Sequence, residues 1–305
     1  MSKKNVLVLF SYRSHKHGYI EMLFDKLFRK SAEFGLELHR GSLSDMHIRV
    51  INNRLSVRES MTKKKLDEFD LVYFELWYKA QQQALAAARY LGRKKVPFFS
   101  HEIENIMPLT KVGELGVLAD NGVPLPDTFI SSHRELKKVF AKTNPPFGYP
   151  FILKAADGYG GNNNHLIRSY KQLVDILSQN KGVQYVSQEF IPNDCDYRCL
   201  VMGGEIKLVL KRTRDASSDS HLNNTSAGAE GKVVDVSVLD EVAQEAVLKS
   251  AQVLGRSQFA GVDLMLHKET GAPYILEVNQ TPQIEIGAEV EKKMKALLSY
   301  MESLT

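Results

Sequence analysis

The hydrophobic positions at the start of the chain follow the pattern of a small α/β layer. Residues 5–10 form a short continuous apolar run, which is typical of a buried parallel strand. Apolar side chains then repeat at helical spacing over residues 20–28, and Gly35 is placed to end that helix. The next predicted elements are a strand, a helix and a strand, at residues 71–74, 81–91 and 96–100. The first hundred residues therefore predict an open α/β domain.

The middle of the chain changes to shorter elements that are separated by turn residues. A helix is predicted over residues 111–120, and Asn121 with Gly122 ends it. Extended chain follows over residues 123–130. Three prolines then precede an apolar strand at residues 151–155, which contains Lys154. A charged residue inside such a strand needs a partner.

The second half of the chain is predicted to consist of hairpins and helices. A pair of glycines, Gly203 and Gly204, separates two strands and indicates a tight turn. The predicted strands are residues 185–191, 197–202, 205–213, 261–267 and 273–279. The predicted helices are residues 242–254 and 290–304. The pattern thus favours α+β regions after the α/β layer.

Composition narrows the class of protein. The chain has 305 residues, of which 43% are hydrophobic and 25% charged, as in an ordinary globular protein of about two domains. A net charge of +4 gives no basis for nucleic-acid or polybasic membrane binding. No apolar run has the length of a signal peptide or a membrane span, so a cytoplasmic protein is predicted. Cys195 and Cys199 are expected to be free thiols.

Three oxygen-bearing side chains near the C-terminus form a candidate metal site. Glu277 and Asn279 share one face of their strand because side chains alternate with a period of two. Asp263 reaches the same face if its strand pairs with theirs about the turn near Thr270. Two carboxylates and an amide suit Mg²⁺. A solvent-facing polar edge is the alternative interpretation.

A candidate phosphate site precedes it. Lys154 is followed by a loop whose glycines would let backbone N–H groups approach an anion, namely Gly158, Gly160 and Gly161. A plain glycine-rich turn is the alternative interpretation. Neither the Walker spacing nor the dinucleotide-binding Gly-x-Gly-x-x-Gly pattern occurs in the sequence.

The order of these pieces resembles the ATP-grasp ligases, and most of all their RimK-like branch. The resemblance rests on Lys111, Lys154 with its glycine-rich loop, residues 188–191, residues 196–200, Arg212, Asn224, Asp263, Glu277 and Asn279. It implies an ATP-grasp fold with an N-terminal Rossmann-like α/β domain. The implied domains are residues 1–104, a central subdomain at 105–187 and a C-terminal subdomain at 188–305.

The resemblance also implies roles for individual residues. Lys111 and Lys154 would contact the ATP phosphates, and the loop with Gly158, Gly160 and Gly161 would fold over them. Gln188, Glu189, Phe190 and Ile191 would meet adenine, and Asp196 would bind the ribose. Arg212 and Asn224 would face the transferred phosphoryl group. The implied metal ligands are Asp263, Glu277 and Asn279, for Mg²⁺ with Mn²⁺ as an alternative.

Two regions stay open at the level of sequence. The RimK-like branch has a His-Arg pair shortly after the asparagine that matches Asn224, whereas this chain has residues 225–228 without either. Arg212 or Arg214 could substitute, and Asn223 offers a second amide. The loop after the first strand could receive an anionic carboxylate through Arg13, His15, Lys16 and His17, or it could be a solvated loop. His101 and Glu102 hold a comparable position after residues 96–100.

These observations predict an ATP-dependent carboxylate–amine ligase that forms an amide bond through an acyl phosphate. Its partners would be ATP, a carboxylate and an amine, on an amino acid, a peptide or a protein terminus. Neither nucleic acid nor a membrane is expected, and a homo-oligomer stays open. A catalytically silent nucleotide-binding scaffold and a phosphotransferase are the alternatives.

Overall fold

The structure is a computed structural model. It describes residues 3–11, 18–51, 54–77, 80–104, 111–131, 133–142, 145–156, 163–213 and 230–305. No helix in these ranges is long and apolar enough to cross a membrane. Three of the candidate site regions lie outside them, namely the loop after the first strand, the glycine-rich loop and the segment around Asn224.

Helices and strands alternate in the first part of the chain, and strands dominate the rest. The helices are α1 (Gly18–Lys30), α2 (Gln81–Lys94), α3 (Lys111–Asp120), α4 (His133–Phe140), α5 (Tyr170–Gln179), α6 (Glu241–Val253) and α7 (Val290–Leu304). The strands are β1 (Lys4–Phe10), β2 (Leu36–Ser42), β3 (His47–Ile51), β4 (Arg54–Arg58), β5 (Leu71–Leu76), β6 (Thr128–Ile130), β7 (Phe151–Ala155), β8 (Asn164–Ile167), β9 (Tyr185–Glu189), β10 (Cys195–Met202), β11 (Glu205–Thr213), β12 (Glu230–Val234), β13 (Phe259–Leu266) and β14 (Pro273–Asn279).

The N-terminal sheet is parallel, with the order β2-β1-β5. Its middle strand is buried on both faces, which explains the continuous apolar run in the sequence. Val6, Val8 and Phe10 face one core, which includes residues of α1 and α7. Leu7 and Leu9 face a second core, which includes the alanines of α2. The predicted α/β layer is confirmed.

Two features of this region differ from the sequence prediction. Residues 96–100 do not form a regular strand, because Pro97 has no N–H and only Phe98 bridges to Val72 on β5. The hairpin of β3 and β4 was not predicted, since charged residues interrupt the apolar pattern of both strands.

The second sheet is antiparallel and has the order β6-β9-β7-β8. The strand predicted at residues 151–155 is confirmed as β7. Phe151, Leu153 and Ala155 face the core beneath α4 and α5, so Lys154 lies on the opposite face. Neither helix was predicted. Helix α5 begins at Ser169, whose hydroxyl accepts a hydrogen bond from the Gln172 N–H.

The third sheet is antiparallel and has the order β12-β11-β10-β13-β14. The predicted tight turn joins β10 to β11, and both of its glycines have positive φ, 62° at Gly203 and 79° at Gly204. One face of β10 packs against α6 through Tyr197, Cys199 and Val201. Cys195 and Cys199 are free thiols, as predicted.

The other face of this sheet joins the core of the N-terminal sheet. Leu200 and Met202 of β10 belong to the same buried cluster as Val6 and the apolar face of α7. The ring of Phe99 stacks on two other rings in this cluster. Its centroid lies 5.2 Å from that of Phe259 and 5.5 Å from that of Tyr300. The combination of an α/β layer with α+β regions is thus confirmed, and the exact domain boundaries stay a prediction.

We expect Phe259→Ala to lower the free energy of unfolding by about 3–5 kcal/mol, because it removes a fully buried ring and leaves a cavity between two sheets. Urea unfolding measures this change. Val242→Ala, at an exposed position on α6, is the control and should stay within about 0.5 kcal/mol of the wild type. Equal stability of the two variants would contradict this account of the shared core.

Candidate active site

Charged side chains of both signs form a row across one face of the third sheet. Asp196 of β10 lies directly opposite Arg212 of β11. On the other side of β10, Arg198 lies opposite Asp263 of β13. The row continues because Asp263 lies opposite Glu277 of β14. The predicted pairing of the strands that carry Asp263 and Glu277 is confirmed, and a register shift follows directly after Asp263.

Asp263 is the buried centre of this row. Only 7% of the residue is exposed. The Arg198 guanidinium donates two hydrogen bonds of 2.8 Å, one to each carboxylate oxygen, and Arg212 Nη2 lies 3.2 Å from Oδ1. Burial alone would raise the pKa of Asp263, but the charges and hydrogen bonds of both arginines outweigh it and hold the pKa at about 2. Asp263 is therefore a carboxylate at neutral pH.

Arg212 lies between two carboxylates. Its Nε donates a 2.5 Å hydrogen bond to Asp196 Oδ1, and the side chain is almost fully buried. Burial raises the pKa of Asp196 to about 6, although the charge of Arg212 opposes that shift. These contacts hold the guanidinium in one orientation, at the edge of the row.

Two lysines from other parts of the chain reach the same carboxylates. Lys111, the first residue of α3, has its Nζ 3.7 Å from Glu277 Oε1. Burial lowers the pKa of Lys154 to about 8, and the nearby charge of Lys111 lowers it further. The negative charges of Glu277 and Asp263 oppose this shift. The ammonium of Lys154 therefore lies within electrostatic range of Lys111, Glu277 and Asp263. The fold thus gathers residues that the sequence placed in separate motifs.

The donor set of the predicted metal ligands fits a magnesium ion. Arg198 and Arg212 occupy about three of the four lone-pair positions of Asp263, which leaves one for a metal. Glu277 keeps 38% of its side chain exposed. Asn279 donates its amide N–H to the Gly261 carbonyl at 3.3 Å, so its amide oxygen stays available. Magnesium commonly takes one or two carboxylates and completes its shell with water and phosphate oxygens.

Within the described part of the chain, no three side chains of His, Cys, Asp or Glu are grouped so that they could hold a metal ion.

The predicted adenine segment connects the second sheet to the third. Gln188 is buried and donates from its amide nitrogen to the Thr128 hydroxyl at 2.9 Å. Glu189 donates its backbone N–H to the Asp127 carbonyl at 2.8 Å. Glu189 and Phe190 are partly exposed, whereas Ile191 is buried. The segment therefore runs from β9 to β10 at the junction of the two sheets.

Several predicted residues lie outside the described residues. They are the loop glycines Gly158, Gly160 and Gly161, the amides Asn223 and Asn224, Arg214, residues 225–228, and the first-loop residues Arg13, His15, Lys16 and His17. Of the pair after Pro97, His101 is exposed and lies 3.5 Å from Glu104, and Glu102 is buried.

Arg198 has no predicted role, although the signal for it is present in the sequence. Arg198 lies two residues after Asp196, so strand alternation puts both side chains on one face. The identity of its partner, Asp263, depends on the register between β10 and β13, which no local pattern specifies.

A buried arginine for which the sequence predicts no role connects three segments. Only 2% of Arg256 is exposed, and its Nη2 lies 2.6 Å from Glu114 on α3 and 3.4 Å from the Gln280 amide oxygen. It also donates to the Val278 carbonyl, and its Nε lies 3.7 Å from Glu102. These partners hold the helix that begins at Lys111 against the strand that carries the predicted metal ligands.

The family comparison matches a large part of the chain. Residues 110–298 match the model of a RimK-like ATP-grasp domain. A protein named probable alpha-L-glutamate ligase, from Cellvibrio japonicus, is 27% identical over 249 residues, which cover 78% of this chain and 78% of that protein.

Solved structures share the fold over nearly the whole chain. The ATP-grasp ligase PsnB, complexed with a phosphomimetic variant of its minimal precursor, Mg and ADP, superposes with a TM-score of 0.68 at 14% identity, over 98% of this chain and 99% of PsnB. D-alanine–D-alanine ligase from Bacillus anthracis, complexed with ATP, gives a TM-score of 0.66 at 17% identity, over 99% and 95% of the two chains.

We expect the cluster around Arg256 to make stability depend on pH. Burial raises the pKa of Glu102 to about 7, so the folded protein binds a proton there that the unfolded chain releases near pH 4.5. Stability should therefore fall as the pH rises through this window, by about 3 kcal/mol for this group. Urea unfolding between pH 4.5 and 7.5 should show a flatter profile for Glu102→Gln. The partly exposed Glu104→Gln variant is the control, and identical slopes in Glu102→Gln and the wild type would contradict the assignment.

Proposed function

The chain belongs to the RimK-like ATP-grasp family of ATP-dependent carboxylate–amine ligases, and from this premise we propose that it forms an amide bond through an acyl phosphate. The observation that carries the proposal is the arrangement around Asp263 and Glu277. Two arginines and two lysines surround these carboxylates, from four separate segments. This excess of positive charge suits a polyphosphate, and the carboxylates suit a divalent cation on that polyphosphate.

The proposed reaction has two steps. A carboxylate oxygen of the substrate attacks the γ-phosphorus of ATP, and the bond to the β-phosphate oxygen breaks to release ADP. The amine then attacks the carbonyl carbon of the acyl phosphate, loses its extra proton and expels inorganic phosphate. The first step is needed because direct attack on a carboxylate would have to expel oxide, which is a poor leaving group.

The cationic side chains have distinct proposed tasks in the first step. Lys111 and Lys154 would bind the phosphates as point charges. Arg212 would contact the transferred phosphoryl group, because Asp196 and Asp263 already hold its guanidinium in a fixed orientation. Such prior orientation matters because a fixed donor needs no rearrangement when charge develops on the phosphoryl oxygens.

Asp263, Glu277 and Asn279 would hold Mg²⁺, with Mn²⁺ as an alternative. When bound, the metal would neutralise charge on the phosphate oxygens. The available lone pair of Asp263 and the amide oxygen of Asn279 support this assignment. The Lys111 contact to Glu277 places a phosphate-binding cation beside the proposed metal ligand.

The remaining predicted roles are part of the same proposal. Glycines 158, 160 and 161 would close over the phosphates, Asn224 would face the phosphoryl group, and residues 188–191 would bind adenine. Asp196 uses Oδ1 for Arg212, which leaves Oδ2 for a ribose hydroxyl.

The substrates are proposed to be an amino acid and a second amino acid or peptide. The name of the Cellvibrio japonicus relative points to glutamate, and PsnB was solved with a precursor peptide. The different sequence at residues 225–228 leaves the carboxylate donor to experiment.

We expect ATP, Mg²⁺ and the correct carboxylate to give a hydroxamate when hydroxylamine replaces the amine, because hydroxylamine captures an acyl phosphate. The panel is L-glutamate, N-acetyl-L-aspartate and peptides that end in glutamate, with ADP and hydroxamate both measured. Arg212→Ala should reduce hydroxamate formation by about 10²–10³-fold with little change in ATP affinity. Lys207→Ala, exposed on the same strand, is the control. A stable phosphorylated product without hydroxamate would indicate a phosphotransferase, and no turnover at all would indicate a scaffold.

We expect Lys154→Met to weaken ATP binding by about tenfold or more, which corresponds to about 1.4 kcal/mol, without lowering the melting temperature. Burial already disfavours the charge of Lys154, so its removal should not destabilise the folded protein. Calorimetry with Mg-ATP and thermal unfolding measure the two effects. Lys171→Met, at an exposed position on α5, is the control. A lower melting temperature with unchanged ATP affinity would make Lys154 a structural residue.

A further inference from the structure

Two buried carboxylates, one in the N-terminal sheet and one in the loop after β14, have no role in the proposals above. Glu75 is near the carboxyl end of β5 and is 4% exposed. Ligands of open α/β sheets bind at that end of the strands. Glu285 is 6% exposed and lies in the loop after β14. In that loop, Pro282 packs directly on Gly261 of β13, so the loop lies over the third sheet. Only glycine allows this contact, because a Cβ at position 261 would lie 2.7 Å from the Pro282 side chain.

The two carboxylates are close enough to repel each other, and each has an oxygen without a partner. Burial and then the charge of Glu285 raise the pKa of Glu75 well above its ordinary value. Glu75 Oε2 and Glu285 Oε1 are buried and accept no hydrogen bond in the described structure. Unsatisfied buried acceptors are rare and costly in folded proteins. Two such oxygens on interacting carboxylates therefore indicate a site for a hydrogen-bond donor on a bound ligand.

One lysine faces the pair and does not neutralise it. Lys293 of α7 donates to the carbonyls of Gln283 at 2.9 Å and Ile286 at 2.6 Å, so two of its three N–H groups are used on the backbone. Its charge acts on Glu285. An arriving cation would favour the ionised form of both carboxylates, and two carboxylates with one ammonium then carry a net charge of −1, which that cation neutralises.

The pair is also near the proposed chemistry. The charge of Arg198 acts on Lys293, and the same guanidinium holds Asp263 through both of its oxygens. Lys293 thus connects the pair electrostatically to the charged row.

We propose that Glu75 and Glu285 bind the ammonium group of the acceptor amine and that one of them removes its proton before attack. This inference rests on the proposed ligase function and names its acceptor as an amine that is cationic at neutral pH, such as the α-amino group of an amino acid or peptide. An ammonium nitrogen has no lone pair. One N–H bond therefore breaks, and its proton moves to a carboxylate oxygen. The free lone pair forms the new C–N bond, the bond from the carbonyl carbon to the phosphate oxygen breaks, and the departing phosphate takes the second N–H proton.

The titration of the pair agrees with this role. Burial raises the pKa of Glu285 to about 7, although its backbone hydrogen bonds and the charge of Lys293 oppose the shift. A carboxylate with a pKa near the working pH is suited to accept a proton and later to release it to water.

The test uses two nucleophiles that differ in charge. Hydroxylamine is largely uncharged at neutral pH and needs no base to free a lone pair, whereas the α-amino group of L-glutamate or glycine is protonated. We expect Glu75→Gln and Glu285→Gln to lower kcat/KM for these amino acids by about a hundredfold or more, and to keep hydroxamate formation within about threefold of the wild type. Glu245→Gln, exposed on α6, is the matched control and should change neither rate.

Equal loss of both reactions in the two variants would overturn the inference, because it would indicate a general structural effect. Unchanged amide formation would also overturn it and would leave a carboxyl pair that shares a proton in the folded protein. Melting temperatures of both variants identify misfolding, and each variant tests the site independently of the other.

A binding measurement separates this inference from the proposed function, since it needs no turnover. Calorimetry with Mg-AMP-PNP present compares L-glutamate with glutarate and glycine with acetate, pairs that differ by the amino group. In at least one of these pairs, we expect the amino acid to bind the wild-type protein about tenfold tighter than the acid that lacks the amino group. The Glu75→Gln variant should bind both members of that pair equally. Absence of any preference in the wild type would overturn the inference. Absence of hydroxamate together with a clear preference would overturn the ligase and leave the ammonium site.

Discussion

The contact between Asp263 and two guanidinium groups is the interaction on which the arrangement of the candidate site depends. A buried carboxylate is costly unless it is paired and hydrogen-bonded, and Arg198 with Arg212 supplies both conditions. The two arginines come from neighbouring strands, so the pairing works only in one register of β10, β11 and β13. A slip by one residue would move every charged side chain of a strand to the apolar face that packs on α6. The charges that suit phosphate binding therefore also specify how the sheet is assembled.

Local sequence patterns were sufficient for most of the strands and for the pairing of Asp263 with Glu277. Strands β7, β11 and β14 were predicted with the bounds that the structure has, because apolar alternation and turn residues define their ends. The prediction of a regular strand at residues 96–100 was wrong, since Pro97 limits the pairing with β5 to a single bridge. Helices α4 and α5 were missed, although α3, which is as long as α5, was predicted.

The residues that sequence reasoning could not find share a physical property. Arg256, Glu75 and Glu285 have their partners on elements far away along the chain, so their significance depends on tertiary contacts. Glu75 lies in an otherwise apolar strand, which indicates only that a partner must exist. The predicted roles of the glycine-rich loop and of Asn224 stay predictions.

The position of α7 has a consequence for how the protein is made. Met294 and Leu297 of this helix lie in the same buried cluster as Val6 and Val8 of β1, although almost three hundred residues separate the two elements along the chain. During translation the first strand therefore emerges long before the helix that covers one of its faces. At about 5–20 residues per second, that face waits on the order of fifteen seconds to a minute for its covering helix. Until then, the nascent N-terminal layer exposes an apolar surface of the kind that chaperones bind.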